Sequence, residues 1–320
     1  MFKKLKFYWN KIASLKYQFN HLSNQTNEIK MILSNDLKSS KINLGQIQSG
    51  LNNQKEFIDD LSEVEFQVFS QFGDDGIIQY LIHKLNIPNK TFIEFGVENY
   101  LESNTRFLLI NNNWTGYVID GSKDNINYIK NDIISWACEL YAEAAFINAE
   151  NINDLLVKPG FESEIGILSI DIDGNDFWVW NAIEVVNPVI VIIEYNSLFG
   201  RNTTWSVPYD SSFVREEKHS SILYFGASLK ALETLGKQKG YSFIGCNSKG
   251  NNAYFVRDDK LGALKHKSSE DGYVLSKFRE TIKNGERVSG LNRIKLIEGL
   301  DVIDTVTNES IKIHSSLIEY

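Results

Sequence analysis

The sequence predicts an α/β protein: a long N-terminal coiled-coil helix, then a doubly wound, seven-stranded and mostly parallel sheet that ends in an antiparallel hairpin. Three patterns predict this fold class. Apolar segments rich in β-branched residues alternate with helical segments from residue 66 to residue 258, as in parallel sheets covered on both faces. Only "SKGNN" separates the last two apolar segments, and this spacing requires a hairpin. Apolar residues before residue 60 recur with the heptad period of a coiled coil.

The charge distribution separates a basic arm from an acidic body. The chain has a net charge of -8, yet residues 1–55 hold nine lysines and two acids, so they carry +7 and the remainder carries -15. An acidic body lacks the phosphate-neutralising surface that nucleic-acid binding needs, so nucleic acid is excluded as a partner. The sequence contains no apolar run of membrane-spanning length and no signal-peptide pattern. We therefore expect a cytoplasmic protein, in which Cys138 and Cys246 are free thiols.

Residues 1–62 are predicted to form the coiled coil and to mediate homo-oligomerisation. The a positions of its heptads are Leu5, Ile12, Phe19, Thr26 and Leu33, and the d positions are Tyr8, Leu15, Leu22 and Ile29. Beyond Leu33 the second seam moves by one residue, to Leu37, Leu44, Leu51 and Ile58, as a four-residue stutter would produce. Two alternatives stay open: a solvated helix that folds back on the body, and a basic helix whose first turns contact the inner face of the membrane.

Residues 63–258 are predicted to form the sheet domain. The strand candidates are "KTFIEFGV", "GYVIDGS", "AAFINA", "IGILSIDID", "PVIVIIEYN", "YSFIGCN" and "NAYFVRDD". Helices are predicted in "QFGDDGIIQYLIHKL" and over residues 102–111, 125–139, 151–157, 177–185 and 227–239. Residues 259–320 are polar and carry no clear motif, and we expect them to form a small helical C-terminal extension.

The residues that follow the first two strands are typical of a nucleoside-binding site. Ligands of open α/β sheets bind beyond the carboxyl ends of the strands, near the switch in strand order. Gly96 lies where the chain must turn after the first strand, and Ser103 or Asn104 can cap the helix that follows. Asp120 ends the second strand, 24 positions after Gly96, where an acid can accept hydrogen bonds from ribose hydroxyls.

Acidic and amide side chains follow the fourth and fifth strands. Asp171 and Asp173 end one strand, and Glu194 and Asn196 end its presumed neighbour. Two acids that end adjacent buried strands repel each other unless a proton or a cation lies between them. Oxygen donors of this kind suit Mg²⁺ or Mn²⁺. Asp176, in contrast, directly precedes a helical segment and is predicted to be its N-cap.

A segment of more than 30 residues without periodicity follows the fifth strand. A loop this long in a compact domain is usually functional or disordered. It contains aromatic and basic side chains: Trp205, Tyr209, Phe213 and Tyr224, with Arg201, Arg215 and His219. Aromatic rings beside polar groups suit a carbohydrate acceptor, and the alternative is that the rings attach the loop to the body. We interpret His219 as a surface residue.

The phrases "SQFGDDGII", "FIEFGVENY", "ESNTRFLL", "GYVIDGS", "LSIDIDGND" and "VIIEYNS", with the segment "FGASLKALETLGKQKGYSFIGCNSKGNNAYFV", carry a family resemblance. Residues 66–258 resemble the FkbM-like class I S-adenosylmethionine-dependent methyltransferases of bacterial surface-polysaccharide gene clusters. The resemblance implies O-methylation of a sugar or glycan precursor. It also implies that S-adenosylmethionine contacts Glu94, Gly96, Ser103, Asp120, Asn148 and Asp171.

The resemblance to metal-dependent sugar and catechol O-methyltransferases implies the remaining roles. Asp171, Glu194 and Asn196 would hold Mg²⁺ or Mn²⁺, and Asp171 and Asp173 would be the catalytic residues, with Asp173 as the general base. A lysine base has no equivalent, because Gly174 occupies its position. The loop after strand one normally holds two or three glycines, whereas Glu98 and Tyr100 occupy the later positions here.

Two other classes of function compete with this reading. An NAD-dependent sugar-modifying enzyme would share the first βαβ unit and the ribose-binding acid, but the sequence has no GxGxxG and no YxxxK pair. A non-catalytic, methyltransferase-like scaffold would keep the fold and use the coiled coil as its working part. Binding of S-adenosylhomocysteine or NAD would separate these classes.

Overall fold

The computed structural model describes residues 2–277, 281–283 and 285–320, except for the side chains of residues 2–8, 10, 12, 13, 34 and 283. The chain divides into two compact units, residues 1–47 and 48–320. The helices are α1 (Phe2–Asn53), α2 (Asp74–Lys84), α3 (Arg106–Asn112), α4 (Lys123–Asn131), α5 (Ile133–Ala137), α6 (Ile152–Leu156), α7 (Asp176–Ala182), α8 (Arg215–Lys218), α9 (Leu229–Gln238) and α10 (Ser269–Gly272). The strands are β1 (Thr91–Phe95), β2 (Thr115–Asp120), β3 (Leu140–Ala144), β4 (Ile167–Ile170), β5 (Ile190–Glu194), β6 (Trp205–Ser206), β7 (Tyr241–Cys246), β8 (Asn252–Arg257), β9 (Thr281–Lys283), β10 (Glu286–Val288), β11 (Asp301–Asp304) and β12 (Ser310–Lys312).

The N-terminal unit lies within α1, as the heptad pattern predicts for a helix. The described apolar seam residues within α1 are exposed, from 54% for Leu51 to 74% for Phe19. Ile58, the last predicted seam residue, lies beyond the end of α1 and is partly buried against a hydrophobic core. Leu5, Tyr8 and Ile12 belong to the predicted seam, but their side chains lie outside those that the structure describes. The coiled coil therefore stays a prediction. No helix in the described part of the chain combines the length and the apolar content that crossing a bilayer requires.

The predicted seven-stranded, mostly parallel sheet is confirmed within the described residues. Its order is β3-β2-β1-β4-β5-β8-β7. The first five strands pair in parallel, and β8 lies antiparallel between β5 and β7, so the hairpin predicted from "SKGNN" is present. The chain builds outward from β1 to β3 on one side and from β4 to β5 on the other. The switch in strand order therefore lies between β1 and β4.

The continuous apolar runs of the central strands are buried on both faces of the sheet. All four residues of β4 are buried. Ile93 and Leu168 belong to one hydrophobic core, whereas Phe92 and Ile167, one position earlier on the same strands, belong to the core on the other face. Successive side chains of a strand point to opposite faces, so a strand between two helical layers needs apolar residues throughout. This packing fixes the positions at which β1 and β4 end.

The third strand begins earlier in the chain than the sequence predicts. The expected strand is "AAFINA", but β3 covers Leu140–Ala144, and residues 145–148 follow it without regular secondary structure. β3 is an edge strand, and its side chains are only partly buried. Its sequence "LYAEA" therefore lacks the apolar run by which the inner strands are recognised. Asn148, which the resemblance places in contact with the cofactor, consequently lies four residues beyond the strand.

The C-terminal extension combines short helical turns with four short strands, so the expected helical extension is present only in part. β11 pairs with β12 and also with β6 from the long segment after β5. A third hydrophobic core joins Trp205 and Phe213 of that segment to Ile294, Val302 and Ile313 of the extension. The extension and the long segment thus form one small subdomain beside the sheet.

Candidate functional site

Three cavities meet at the carboxyl edge of the sheet, and Asp171 and Asp173 line all of them. The central cavity, of about 270 Å³, also touches Glu94, Gly96 and Ser103. The side cavity, of about 160 Å³, reaches Asp120 and Phe146. The outer cavity, of about 470 Å³, is bounded by Gln71, Phe72, Glu194, Arg215, Glu216, Ile222, Asn251 and Arg287. Asp120 and Asp171 therefore face the same space, next to the switch in strand order.

Gly96 is required where the loop after β1 crosses the end of β4. A Cβ at this position would lie 1.6 Å from the carbonyl oxygen of Asp171, and Gly96 has φ +66°. Glu98 and Tyr100, which stand where the resembling family has glycines, also adopt positive φ, +47° and +62°. The loop thus keeps a left-handed backbone at these positions although only Gly96 is a glycine.

Glu94 organises the start of α3 from beneath the central cavity. Its carboxylate accepts hydrogen bonds from the N–H groups of Asn104 (2.9 Å) and Thr105 (3.1 Å) and from the Thr105 hydroxyl. Burial raises the pKa of Glu94 to about 7. Glu94 therefore shapes the loop that carries Ser103, which is buried and lines the same cavity.

Asp120 joins the loop after β1 to the turn after β2. One carboxylate oxygen accepts the N–H of Glu98 at 2.8 Å. The other accepts the N–H of Ser122 at 2.8 Å and the amide of Asn125 at 3.1 Å. A carboxylate has about four acceptor sites, so capacity remains for one further donor from the side cavity.

Asn148 has a structural role in the turn before α6. Asn148 and Asn151 each accept the backbone N–H of the other through the side-chain oxygen, both at 2.9 Å. Asn148 does not line any of the three cavities described above. Phe146 lines the side cavity instead, with 47% of its surface exposed. The sequence placed Phe146 inside the predicted third strand, so Phe146 was not predicted as a site residue.

Asp171, Asp173 and Glu194 form an acidic cluster at the junction of the cavities. One oxygen from each carboxylate lies within 4.8 Å of the others. The Oε2 atom of Glu194 is buried without a hydrogen-bond partner among the described residues. Burial raises the pKa values of Asp171 and Glu194 well above their usual range, and the neighbouring carboxylates add to the effect. The cluster therefore favours a proton or a cation.

Asn196 holds the long segment after β5 and does not join this cluster. Its amide nitrogen donates to the carbonyl oxygens of Leu223 (2.9 Å) and Phe225 (3.0 Å). Its side-chain oxygen accepts the N–H of Leu198 at 3.0 Å. The structure thus brings two of the three predicted metal ligands together, Asp171 and Glu194, and adds Asp173, which was predicted as a base.

Asp176 stabilises the turn that carries the acids, but it is not the N-cap that the sequence predicted. Asn175 holds the cap position and Asp176 is the first residue of α7. Its buried carboxylate accepts the N–H groups of Ile172 (2.9 Å) and Gly174 (3.0 Å). Burial raises its pKa to about 6. Asp173 lies in the same turn with φ +56°.

Arg215 brings a cation from the long segment to the acidic cluster. Its Nη1 atom lies 2.5 Å from Oδ1 of Asp173, and it lines the central and outer cavities. From the sequence, Arg215 was recognisable only as one basic residue of the long segment after β5. The aromatic residues of that loop mostly attach it to the body: Trp205 and Phe213 are buried, and the Tyr224 hydroxyl donates to the carbonyl oxygen of Asp301.

Comparison with known proteins finds likeness in structure alone. No family model matches the sequence, and no curated protein matches it. The N-terminal domain of EvdMO1, solved with SAH bound, aligns with 66% of this chain and 94% of its own at 13% identity and a TM-score of 0.39. An S-adenosylmethionine-dependent methyltransferase from Clostridium acetobutylicum aligns with 57% of this chain and 90% of its own at 11% identity and a TM-score of 0.35. An O-methyltransferase family protein from Burkholderia thailandensis aligns with 69% of this chain and 58% of its own at 9% identity and a TM-score of 0.35.

Proposed function

We propose that this chain is a cytoplasmic S-adenosylmethionine-dependent methyltransferase that O-methylates a sugar or glycan precursor of a bacterial surface polysaccharide. One observation carries the proposal: Gly96 and Asp171 follow the two strands that flank the switch in strand order, and together they line the central and side cavities. This is the position at which open α/β sheets bind nucleoside-containing ligands. The resemblance of the sequence phrases to the FkbM-like family favours the methyl donor among such ligands.

The side cavity suits the nucleoside end of the donor. Asp120 would accept a hydrogen bond from a ribose hydroxyl at its remaining acceptor site. Phe146 would offer an apolar surface to the base. Glu94 fixes the loop of Gly96 and Ser103 around the adjoining central cavity. The bound donor would supply an electrophilic methyl group on its sulfonium.

The outer cavity suits a polar acceptor, because its wall is rich in charged and amide side chains. In-line methyl transfer depends chiefly on positioning the acceptor hydroxyl, which must also lose its proton. Asp171 and Asp173 stand between the cavities and are the candidates to take that proton. The three carboxylates of the acidic cluster would also suit Mg²⁺ or Mn²⁺, which would lower the pKa of a hydroxyl bound there.

Calorimetric titration of the full chain with S-adenosylhomocysteine tests the proposed function. We expect saturable binding at one site per chain, and no binding of NAD. Binding of NAD alone would favour the sugar oxidoreductase, and binding of neither ligand would favour the scaffold. If S-adenosylhomocysteine binds, incubation with S-adenosylmethionine and a panel of nucleotide sugars should produce a methyl mass shift in one of them.

We also infer that α1 joins copies of this chain through the predicted coiled coil. Seven exposed apolar residues of α1 fall within about 80° of arc on a helix that turns 100° per residue: Leu15, Phe19, Leu22, Ile29, Leu33, Leu37 and Leu44. Tyr17, Met31 and Ile32 are exposed outside this stripe. A stripe this narrow, with spacings of three and four residues, is typical of a coiled-coil seam, whereas a membrane-surface helix presents a broader apolar face.

Charged residues placed in the seam should abolish this association. We expect the double variant Leu22→Glu/Ile29→Glu to behave as a single chain in light scattering, while the wild-type chain has a multiple of that mass. The matched control Asn24→Glu/Asn27→Glu adds the same charge on another side of α1 and should keep the wild-type mass. A wild-type chain that is already monomeric would contradict the inference.

A further inference from the structure

We propose that Arg215 is a built-in cation of the acidic cluster: its guanidinium pairs with Asp173 and offsets part of the negative charge of Asp171, Asp173 and Glu194 when no other cation is bound, and it lowers the affinity of the cluster for a divalent metal ion. The proposal rests on the cation site of the proposed function. It assigns to Arg215 control over when that site takes up metal.

The position of the guanidinium supports this role. It contacts Asp173 directly, at 2.5 Å, and only 13% of the Arg215 side chain is exposed. Arg215 also borders the two cavities in which Asp171, Asp173 and Glu194 face one another. The cluster thus already has a counter-charge, supplied by the chain itself.

The surroundings of Arg215 hold it in place independently of the acids. Its Nε atom donates to the carbonyl oxygen of Ile222 at 2.7 Å. Its guanidinium carbon lies 3.5 Å from the centre of the Phe225 ring, within the range of a cation–π contact. Ile222 itself has φ +55°. Because these contacts come from the segment after β5, the guanidinium is positioned before any ligand arrives.

A metal ion in the cluster would meet this charge at close range. Like charges repel each other at this range, although solvent weakens the repulsion where it reaches Asp173, whose side chain is 55% exposed. A carboxylate oxygen that accepts a hydrogen bond from Arg215 must also share or exchange that bond to bind a metal. Glu216 and Arg287 border the outer cavity as well, and their opposite charges offset each other. Removing the charge of Arg215 should therefore tighten metal binding.

Titration of the full chain with Mn²⁺ at pH 7.5 tests the proposal. We expect Arg215→Met to bind Mn²⁺ about tenfold more tightly than the wild-type chain. The matched control is Lys218→Met, which removes the same charge from α8 but from a residue that pairs with Asp210 and not with the cluster. We expect its affinity to stay near that of the wild type. Equal or weaker binding by Arg215→Met, or no binding by either protein, would overturn the proposal.

Thermal unfolding provides a second measurement. Without metal, Arg215→Met should unfold at a lower temperature than the wild type, because the three carboxylates lose the charge of Arg215. Mn²⁺ should raise the unfolding temperature of Arg215→Met by more than it raises that of the wild type. Should Arg215→Met fail to fold, Arg215→Lys keeps the charge and loses the bond from Nε, and its Mn²⁺ affinity should rise less than tenfold. A weaker affinity would again refute the role.

The two proposals fail in different ways. An unchanged Mn²⁺ affinity in Arg215→Met would remove the built-in cation and leave binding of S-adenosylhomocysteine as the test of the methyltransferase. Absence of S-adenosylhomocysteine binding would remove the methyltransferase and leave the Mn²⁺ titrations interpretable.

Discussion

Asp171→Asn should unfold at a higher temperature than the wild-type chain at pH 8 without divalent metal, while methyl transfer is lost. In the wild type, burial and the neighbouring Asp173 and Asp176 hold the pKa of Asp171 well above its usual range. At pH 8 the folded state therefore has a cost in free energy, because it must either ionise the buried Asp171 carboxyl or keep a proton on it. The unfolded chain, in which this carboxyl is ionised in water, has no such cost. Asparagine has a similar shape and removes this cost.

The pH dependence of the difference follows from the direction of the pKa shift. A carboxyl whose pKa is raised by folding gives stability that is complete below its ordinary pKa, near 4, and is lost as pH rises through the raised value. Wild type and Asp171→Asn should thus have similar stability near pH 4 and diverge as pH rises. A tenfold change in proton affinity is worth about 1.4 kcal/mol, and we expect a difference at pH 8 at least on that order.

The matched control for this measurement is Asp176→Asn in the same turn. The Asp176 carboxylate accepts two backbone N–H groups, and an amide would oppose one of them with its own N–H. The lost backbone hydrogen bond costs about 1–3 kcal/mol, so Asp176→Asn should be less stable than Asp171→Asn at every pH. Burial raises the pKa of Asp176 to about 6, so this variant also loses the wild type's cost of ionisation above that pH, and the comparison isolates the hydrogen bond. An Asp171→Asn variant that unfolds below the wild type at pH 8, or with the same pH profile, would contradict the account of the acidic cluster.

Asp171→Asn should lower the rate of methyl transfer although it raises the unfolding temperature. Loss of a group that takes up a proton in the transition state costs about 10²–10⁴-fold in rate. Once an acceptor is known, we expect a decrease of this size for Asp171→Asn. Greater stability with lower activity is typical of a group whose unfavourable burial serves the reaction.

The inner strands were predictable because strands buried on both faces have continuous apolar sequences. β4 and β5 lie between two helical layers, so nearly every residue of "ILSI" and "IVIIE" is apolar. The acids at their ends were predictable for a related reason, since neighbouring parallel strands bring their carboxyl ends to one edge. β3 has no such continuous apolar sequence because it is a half-exposed edge strand. Its misplacement in turn led to the wrong residue, Asn148, at the side cavity.

The subdomain beside the sheet could not be read from local patterns. Ile294, Val302 and Ile313 lie in a stretch without clear periodicity, and they belong to one core with Trp205 and Phe213, about 100 positions away. The place of Arg215 likewise depends on Phe225 and Ile222 within an aperiodic segment. Such residues are positioned by long-range contacts, which periodicity does not report.

Gly96→Ala should cause the largest loss of stability of any alanine substitution at the site, and with it the loss of S-adenosylhomocysteine binding. The added Cβ would lie 1.6 Å from the Asp171 carbonyl oxygen, a backbone atom that cannot rotate away. The loop after β1 and the end of β4 would have to separate. Overpacking costs about 1–3 kcal/mol and a left-handed conformation about 1–2 kcal/mol, so we expect a loss of about 2–5 kcal/mol.

Substitution of a second glycine separates the stability lost to the steric clash from the stability lost to backbone strain. Gly240 has φ +81°, and a Cβ there would meet nothing within 4 Å. Gly240→Ala should therefore cost only the left-handed conformation, about 1–2 kcal/mol, and leave ligand binding unchanged. Denaturant unfolding measures both losses, and titration below the unfolding transition measures binding. If the two variants lose equal stability, the close approach at the switch in strand order is not as tight as the structure indicates. If Gly96→Ala is destabilised and still binds S-adenosylhomocysteine as the wild type does, the donor does not bind against this loop.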